Sequence, residues 1–152
     1  MENHNVEKSL KLFIVLSRAY RSINHHMNKH IVKHGLNPTE FAVLELLYHK
    51  GDQPLQQIGD KILLASGSIT YVVDKLEKKE LLSRKACAED RRVTFAHITK
   101  QGRALLDDIF PDHAKEIHEM ISVLSEEEKD ACIDMLKHVG LRAKHLYDHQ
   151  NK

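Results

Sequence analysis

Tryptophan is absent from the 152 residues, and aromatic residues together make up only 5%. Glycine occurs 6 times and proline 3 times, while charged residues reach 30%. This balance favours helices and argues against an all-β sandwich or a low-complexity disordered chain. The two cysteines, Cys87 and Cys132, cannot build a disulfide framework, which agrees with a reducing compartment.

Long apolar runs are also missing. A run such as residues 12–16 is far shorter than the roughly 20 residues that a membrane span requires. The start, MENHNVEKSLK, lacks the basic, apolar and small-residue regions of a signal peptide. We therefore expect a single compact domain in the cytoplasm, with no membrane partner.

Charge is distributed unevenly along the chain. Residues 61–103 contain ten Lys or Arg and five Asp or Glu, a net charge of +5. Residues 104–130 contain two Lys and nine Asp or Glu, a net charge of −7. This division indicates that one part of the protein meets a polyanion while another part avoids it.

A first long helix is predicted over residues 6–34. About 29 residues of helix span roughly 43 Å, whereas a globule of this length is roughly 38 Å across. The chain alone can hardly cover the apolar stripe of such a helix, so a partner is expected. The apolar residues of this stripe recur every three or four positions: Val6, Leu10, Phe13, Leu16, Tyr20, Ile23, Met27 and Ile31.

Capping signals predict the next two helices. Asn37 can cap a helix in which Pro38 occupies the first turn and Glu40 returns a bond to the cap backbone, and Gly51 ends it. Pro54 then opens a short third helix.

A fourth helix follows closely, with Ser66 as its predicted N-cap. Two helices of this size joined by a short turn have the geometry of a helix-turn-helix. The apolar face of the fourth helix is Ile69, Val72, Val73 and Leu76. Its outward face is Ser68, Thr70, Tyr71, Asp74, Lys75, Lys78 and Lys79.

The segments 81–86 and 93–98 are typical of short strands around a charged loop, which predicts a β-hairpin. Thr99 then caps a long fifth helix containing Pro111, and a capping box at residues 125–128 starts a sixth. The predicted fold is mainly α, in the order α-α-α-α-β-β-α-α.

A helix pair followed by a hairpin with a positive tip has the outline of a winged helix-turn-helix. The fourth helix would lie in the major groove of DNA, where Ser, Thr, Tyr and Lys side chains reach bases or phosphates. Arg91 and Arg92 at the tip would approach a minor groove, whose negative potential favours guanidinium groups. Asp90 would hold an arginine by charge-assisted hydrogen bonds.

SGSITYVVDKLE at residues 66–77, DRR at 90–92 and ITKQG at 98–102 resemble the MarR family of bacterial transcriptional regulators. The resemblance covers nearly the whole chain as one domain, with a DNA-binding part at 36–102 and dimerisation helices at 1–35 and 103–152. It implies a homodimer with interlocked first, fifth and sixth helices, which reads a palindromic site on double-stranded DNA. The DNA-binding residues expected from pattern and resemblance are Ser66, Ser68, Thr70, Tyr71, Lys75, Arg84, Asp90, Arg91 and Arg92.

One position departs from the family pattern. The family usually has Gly after the recognition helix, where the chain turns with positive φ, and this sequence has Glu80. A left-handed Glu80 would cost on the order of 1 kcal/mol relative to Gly.

TEFAVLELLY at residues 39–48 and DIFP at 108–111 resemble a family branch that responds to quinones and catechols. The expected function is therefore a dimeric repressor that a small aromatic or oxidant-type effector releases from DNA. This hypothesis puts the effector in a crevice between the dimerisation helices and the winged part, and an apolar cleft with Tyr and Ser at its edges would suit an aromatic ligand. The predicted pocket residues are Ser17, Tyr20, Asn24, Phe41 and Tyr48.

Other signals leave alternatives open. His26, His30 and His34 have a spacing that lets imidazoles share Zn²⁺, so a zinc-responsive regulator is one alternative, although no metal or other cofactor is expected. Cys87 lies beside cationic residues that lower a thiol pKa, which makes it a candidate oxidation sensor. A winged protein-interaction module that does not read DNA is another alternative. Catalytic motifs are absent, so an enzyme is not expected.

Overall fold

The computed structural model describes residues 2–62 and 68–150, apart from the side chain of Glu2. Within these ranges it contains six helices and three strands, which confirms the mainly α prediction. No helix in the described ranges is long and apolar enough to cross a membrane. The elements in chain order are α1 (Glu2–Val32), α2 (Pro38–Lys50), β1 (Gln53–Pro54), α3 (Leu55–Lys61), α4 (Ile69–Lys78), β2 (Leu82–Ala86), β3 (Thr94–Ile98), α5 (Lys100–Ile121) and α6 (Glu126–Gln150).

The chain divides into two compact units, residues 1–116 and 117–152. The core of the first unit is formed by the apolar faces of α2, α3, α4 and α5 and by the strands. The apolar face predicted for α4 is confirmed, because Val72, Val73 and Leu76 are buried and Ile69 is half-buried. The largest fully buried side chains are Leu44, Leu47, Ile58, Leu76, Leu82, Leu106 and Ile109.

The predicted hairpin belongs to a three-stranded antiparallel sheet in the order β1-β3-β2. The two predicted strands are confirmed, each one residue shorter at its amino end than predicted, and Leu82 pairs with Ile98. The predicted order omitted β1, in which Gln53 pairs with Ala96. A strand of two residues is too short for its sequence to show a periodicity, so β1 was not predicted. It forms by pairing with β3.

The predicted caps of α2 and α6 are confirmed. The backbone N–H of Glu40 donates to Asn37 Oδ1 at 2.8 Å, and Glu40 Oε1 accepts the N–H of Asn37 at 3.1 Å. Ser125 and Glu128 form the same reciprocal pair at the start of α6.

Other predicted boundaries need correction. The helix predicted over residues 6–34 ends at Val32, because the chain turns there and Gly35 has a φ of 78°. The N-cap of α4 is Ser68 rather than Ser66, and its side chain makes no capping hydrogen bond. Ser66 itself lies outside the described residues.

Two helices expose large apolar side chains. In the first unit, the carboxyl end of α1 is anchored by buried Met27 and Ile31. Ile23 is half-buried, and the rest of the apolar stripe is exposed, with Phe13 at 67%. In the second unit, none of the α6 residues is buried. The other large exposed apolar residues of these two helices are Val6, Leu10, Leu12, Ile14, Val15, Leu16, Tyr20 and Val32 on α1, and Ile133, Met135, Leu136, Val139, Leu141, Leu146 and Tyr147 on α6.

Candidate nucleic-acid interface

The outward face of α4 carries polar side chains, whereas its opposite face packs into the core. Tyr71 is 60% exposed, and Lys75 Nζ lies 5.1 Å from the centre of its ring. This cation–π contact orients two side chains of different chemistry side by side. Ser68 and Thr70 are also exposed, so α4 presents hydroxyl, phenol and ammonium groups along one side.

The loop between β2 and β3 holds its arginines at the surface. Arg92 donates from Nε and Nη2 to the carboxylate of Asp90 at 3.1 and 3.2 Å, and its backbone N–H donates to Asp90 Oδ1 at 3.0 Å. These bonds hold the pKa of Asp90 below its usual value. The Arg92 side chain remains 90% exposed, and neighbouring Arg91 is exposed as well. The expected Asp90–Arg92 pair is therefore present and leaves the guanidinium open to a ligand.

Arg84, on β2, has a different environment from the loop arginines. Its Nη2 lies 2.5 Å from Asp74 Oδ1 and its Nη1 lies 2.7 Å from Glu77 Oε1. Both carboxylates belong to α4, and the side chain of Arg84 is 27% exposed. The guanidinium thus joins the sheet to α4, whereas the sequence predicted a DNA contact for it.

The backbone after α4 turns at Glu80 with a φ of 60°, the left-handed conformation considered from the sequence. Thr99 Oγ1 donates to the carbonyl oxygen of Glu80 at 2.7 Å and accepts the N–H of Gly102 at 3.0 Å. A Cβ on Gly102 would lie 2.1 Å from the carbonyl oxygen of Leu81, so only glycine permits this approach. The turn after α4 is therefore fixed against the start of α5.

The predicted effector residues are only partly brought together. Phe41 is buried and its ring lies 4.6 Å from that of His113 on α5. Tyr48 stacks on Phe110 at 6.1 Å and donates a hydrogen bond to Asp107. Residues of α2 and α5 thus form an aromatic cluster, defined here as Phe41, Tyr48, Phe110 and His113.

Phe110 and His113 were missed as members of this cluster by the sequence reasoning. The two residues are three positions apart, which puts both side chains on one face of α5. This spacing is the signal that could have identified them. Nδ1 of His113 is buried without a hydrogen-bond partner in the described part of the chain. Ser17 and Tyr20 on α1 are exposed, and Asn24 is half-buried.

The three candidate zinc-binding histidines are His26 and His30 on α1 and His34 in the turn after it. His26 Nε2 lies 2.7 Å from Glu116 Oε2 on α5, while the rings of His30 and His34 meet edge to face at 5.3 Å. Among residues 2–62 and 68–150, no group of three His, Cys, Asp or Glu side chains is placed to hold a metal ion. Cys87, at the end of β2, is half-buried with a free thiol.

The fold and this surface define a class of protein. A helix-turn-helix, followed by a two-stranded wing with exposed arginines, is the architecture of winged helix-turn-helix DNA-binding proteins. Comparison with known proteins narrows the class, because residues 36–94 match the model of the MarR family.

Relatives cover most of the chain. The HTH-type transcriptional regulator MhqR of Bacillus subtilis is 82% identical over 142 residues, covering 93% of this chain and 98% of that protein. The HTH-type transcriptional repressor YetL of the same species is 30% identical over 130 residues, covering 84% of this chain and 78% of that protein. A solved structure of Bordetella bronchiseptica BpsR has the same fold, with a TM-score of 0.74, 22% identity, and coverage of 86% of this chain and 98% of that one.

The chain therefore belongs to the MarR family, and it is a DNA-binding transcriptional regulator rather than an enzyme. This excludes the alternative of a winged module that does not read DNA.

Proposed function

We propose that the protein is a homodimer that reads a palindromic DNA site with two copies of α4 and two wings. Each α4 lies in a major groove and each loop at residues 87–93 approaches a neighbouring minor groove. The dimer acts in the cytoplasm, where the duplex lies. The DNA-contacting residues in this proposal are Ser66, Ser68, Thr70, Tyr71 and Lys75 around α4, with Arg91 and Arg92 in the loop.

The observation that carries the proposal is the pairing of an exposed polar face on α4 with an exposed, pre-oriented Arg92. Asp90 fixes the guanidinium before DNA arrives, so less side-chain entropy is lost on binding. A fixed arginine is the group that a narrow minor groove attracts.

The exposed apolar residues of α1 and α6 support the dimer. Apolar surface contributes about 25 cal/mol per Å² when it is removed from water, and contiguous patches of this kind mark interaction sites in soluble proteins. Phe13 and Leu10, both more than half exposed, fit a second copy of the chain. A symmetric dimer also explains why a palindromic site is expected, because operator symmetry mirrors protein symmetry.

Variants at the interface test the DNA contacts. A duplex is first selected by the protein from a random pool, and affinity is then measured at several salt concentrations. Arg92→Ala should weaken binding and reduce the slope of log K against log salt by about 0.9, the share of one phosphate-neutralising cation. Thr70→Ala and Tyr71→Ala should change the selected bases, while the control Lys137→Ala on α6 should change neither. Unchanged affinity and base preference in all three interface variants would refute the proposal.

We further propose that the protein is a repressor and that a small aromatic effector releases it. The aromatic cluster supports this reading because its rings lie beside a buried imidazole nitrogen that has no hydrogen-bond partner among the described residues. Such a site can accept an aromatic ring and bind its polar substituent. YetL is a repressor, and the DNA binding of BpsR is regulated by 6-hydroxynicotinic acid. An effector need only bind better to a conformer whose two α4 helices are not spaced by one duplex turn, about 34 Å.

Catechol serves as the probe for the effector site. Added catechol should lower the affinity for the selected duplex, and Phe41→Ala should weaken this response. The matched variant Cys87→Ser should respond as the wild type does if the effector binds reversibly. Loss of the response in Cys87→Ser alone would instead favour the oxidation of that thiol as the signal. A wild type insensitive to catechol would count against a catechol-type effector.

A further inference from the structure

Lys79 follows α4 directly and binds a carboxylate on a different helix. Its Nζ lies 2.7 Å from Oε2 of Glu40 on α2 and 3.1 Å from the carbonyl oxygen of Gly35, in the turn between α1 and α2. The sequence placed Lys79 on the outward face of α4. In the structure, two of its hydrogen bonds are instead directed at the corner between α1 and α2.

Glu40 makes this contact specific because it is only 3% exposed. Its other oxygen, Oε1, accepts the N–H of Asn37 in the capping box, so both carboxylate oxygens are occupied. A buried carboxylate that loses its cation keeps an uncompensated charge. Glu40 therefore restricts Lys79, and the end of α4 with it, to one position.

The opposite side of the same helix end is also fixed. Glu80 and Leu81 are held against the start of α5 by Thr99 and by the close approach of Gly102. The end of α4 is thus held between the α1–α2 corner and α5. Of these two supports, the Glu40–Lys79 pair is the one made by side-chain charges.

We propose that Glu40 and Lys79 are positioning residues for DNA recognition, and that they set the angle of α4 relative to α2 without contacting DNA. The inference rests on the proposed reading of DNA by α4. A helix that pivots at its carboxyl end displaces its amino-terminal side chains most, and those side chains lie nearest the bases in this fold. Loss of the pair should therefore reduce selectivity more than it reduces non-specific binding.

The test compares two adjacent lysines. With the duplex selected by the wild type and a scrambled duplex, Lys79→Gln should lose about tenfold in the ratio of the two affinities. Its slope of log K against log salt should stay at the wild-type value. Lys78→Gln, a change at the adjacent exposed lysine, should keep the ratio, and Lys79→Arg should retain most of it because the cation is preserved.

A double variant covers the case in which Lys79→Gln does not fold. Glu40→Gln/Lys79→Gln leaves no unpaired buried charge, so it should fold and still lose selectivity. Wild-type selectivity in a folded variant would overturn the inference, as would a salt slope reduced by about 0.9, which would place Lys79 on a phosphate. A wild type that selects no duplex would overturn the proposed function and this inference together.

Discussion

The guanidinium of Arg84 on β2 is bound to Asp74 on α4, with Nη2 2.5 Å from Oδ1. Glu77, one helical turn further along α4, binds the other terminal nitrogen. The wing and the recognition helix are therefore linked by charge as well as by packing. Asp74 and Glu77 are about half exposed. They lie on the helix that would face the DNA phosphates, so Arg84 neutralises two negative charges that would otherwise repel the DNA.

We expect Arg84→Gln to weaken DNA binding without reducing the salt slope, because the lost cation neutralises two carboxylates rather than a phosphate. Asp74→Asn/Arg84→Gln should regain part of the affinity. Protein stability should change by less than about 1 kcal/mol, since exposed ion pairs contribute little. Filter binding across salt concentrations provides the measurement. A slope lower by about 0.9 would instead place Arg84 on the DNA backbone.

Glu80→Gly should stabilise the protein by about 1 kcal/mol, because Glu80 has a left-handed φ of 60° that glycine adopts without a Cβ clash. Urea unfolding measures the change. The matched control Lys78→Gly, at the last residue of α4, should not stabilise the protein, because Lys78 has a helical backbone and glycine weakens a helix. A destabilised Glu80→Gly variant would show that the Glu80 side chain contributes more than its backbone conformation costs.

Stability should fall as the pH is lowered through about 6.5, the ordinary pKa of histidine. Burial lowers the pKa of His113 in the folded state, and nearby His30 lowers it further. The unfolded chain therefore takes up a proton at a pH where folded His113 does not, which favours unfolding.

Thermal melting from pH 8 to 5 measures this effect. The pH dependence should be weaker in His113→Gln, whereas the exposed control His138→Gln should behave as the wild type does. An equal dependence in His113→Gln and the wild type would assign the effect to other groups.

The sequence predicted the features that depend on local pattern. The capping box at Asn37 and Glu40, the buried face of α4 and the uncovered stripe of α1 follow from spacing and residue type, and the structure confirms them. The left-handed Glu80 was identified as a possibility because the family has glycine at that position.

The features that were missed depend on distant partners. Lys79 and Glu40 are 39 positions apart, and nothing in either local sequence indicates which of several lysines the carboxylate will bind. The ion pairs of Arg84 with Asp74 and Glu77 were missed because the local sequence does not show which carboxylates an arginine will meet. The strand β1 is too short to show a pattern, and it forms because β3 offers it an edge.

The central claim is that two copies of α4 read one symmetric site. Selection of duplexes from a random pool, followed by native mass measurement of the complex, tests it most directly. The account predicts an inverted repeat with half-sites about one helical turn apart, roughly 10 base pairs, bound by two copies of the chain. A single asymmetric site bound by one copy would contradict it.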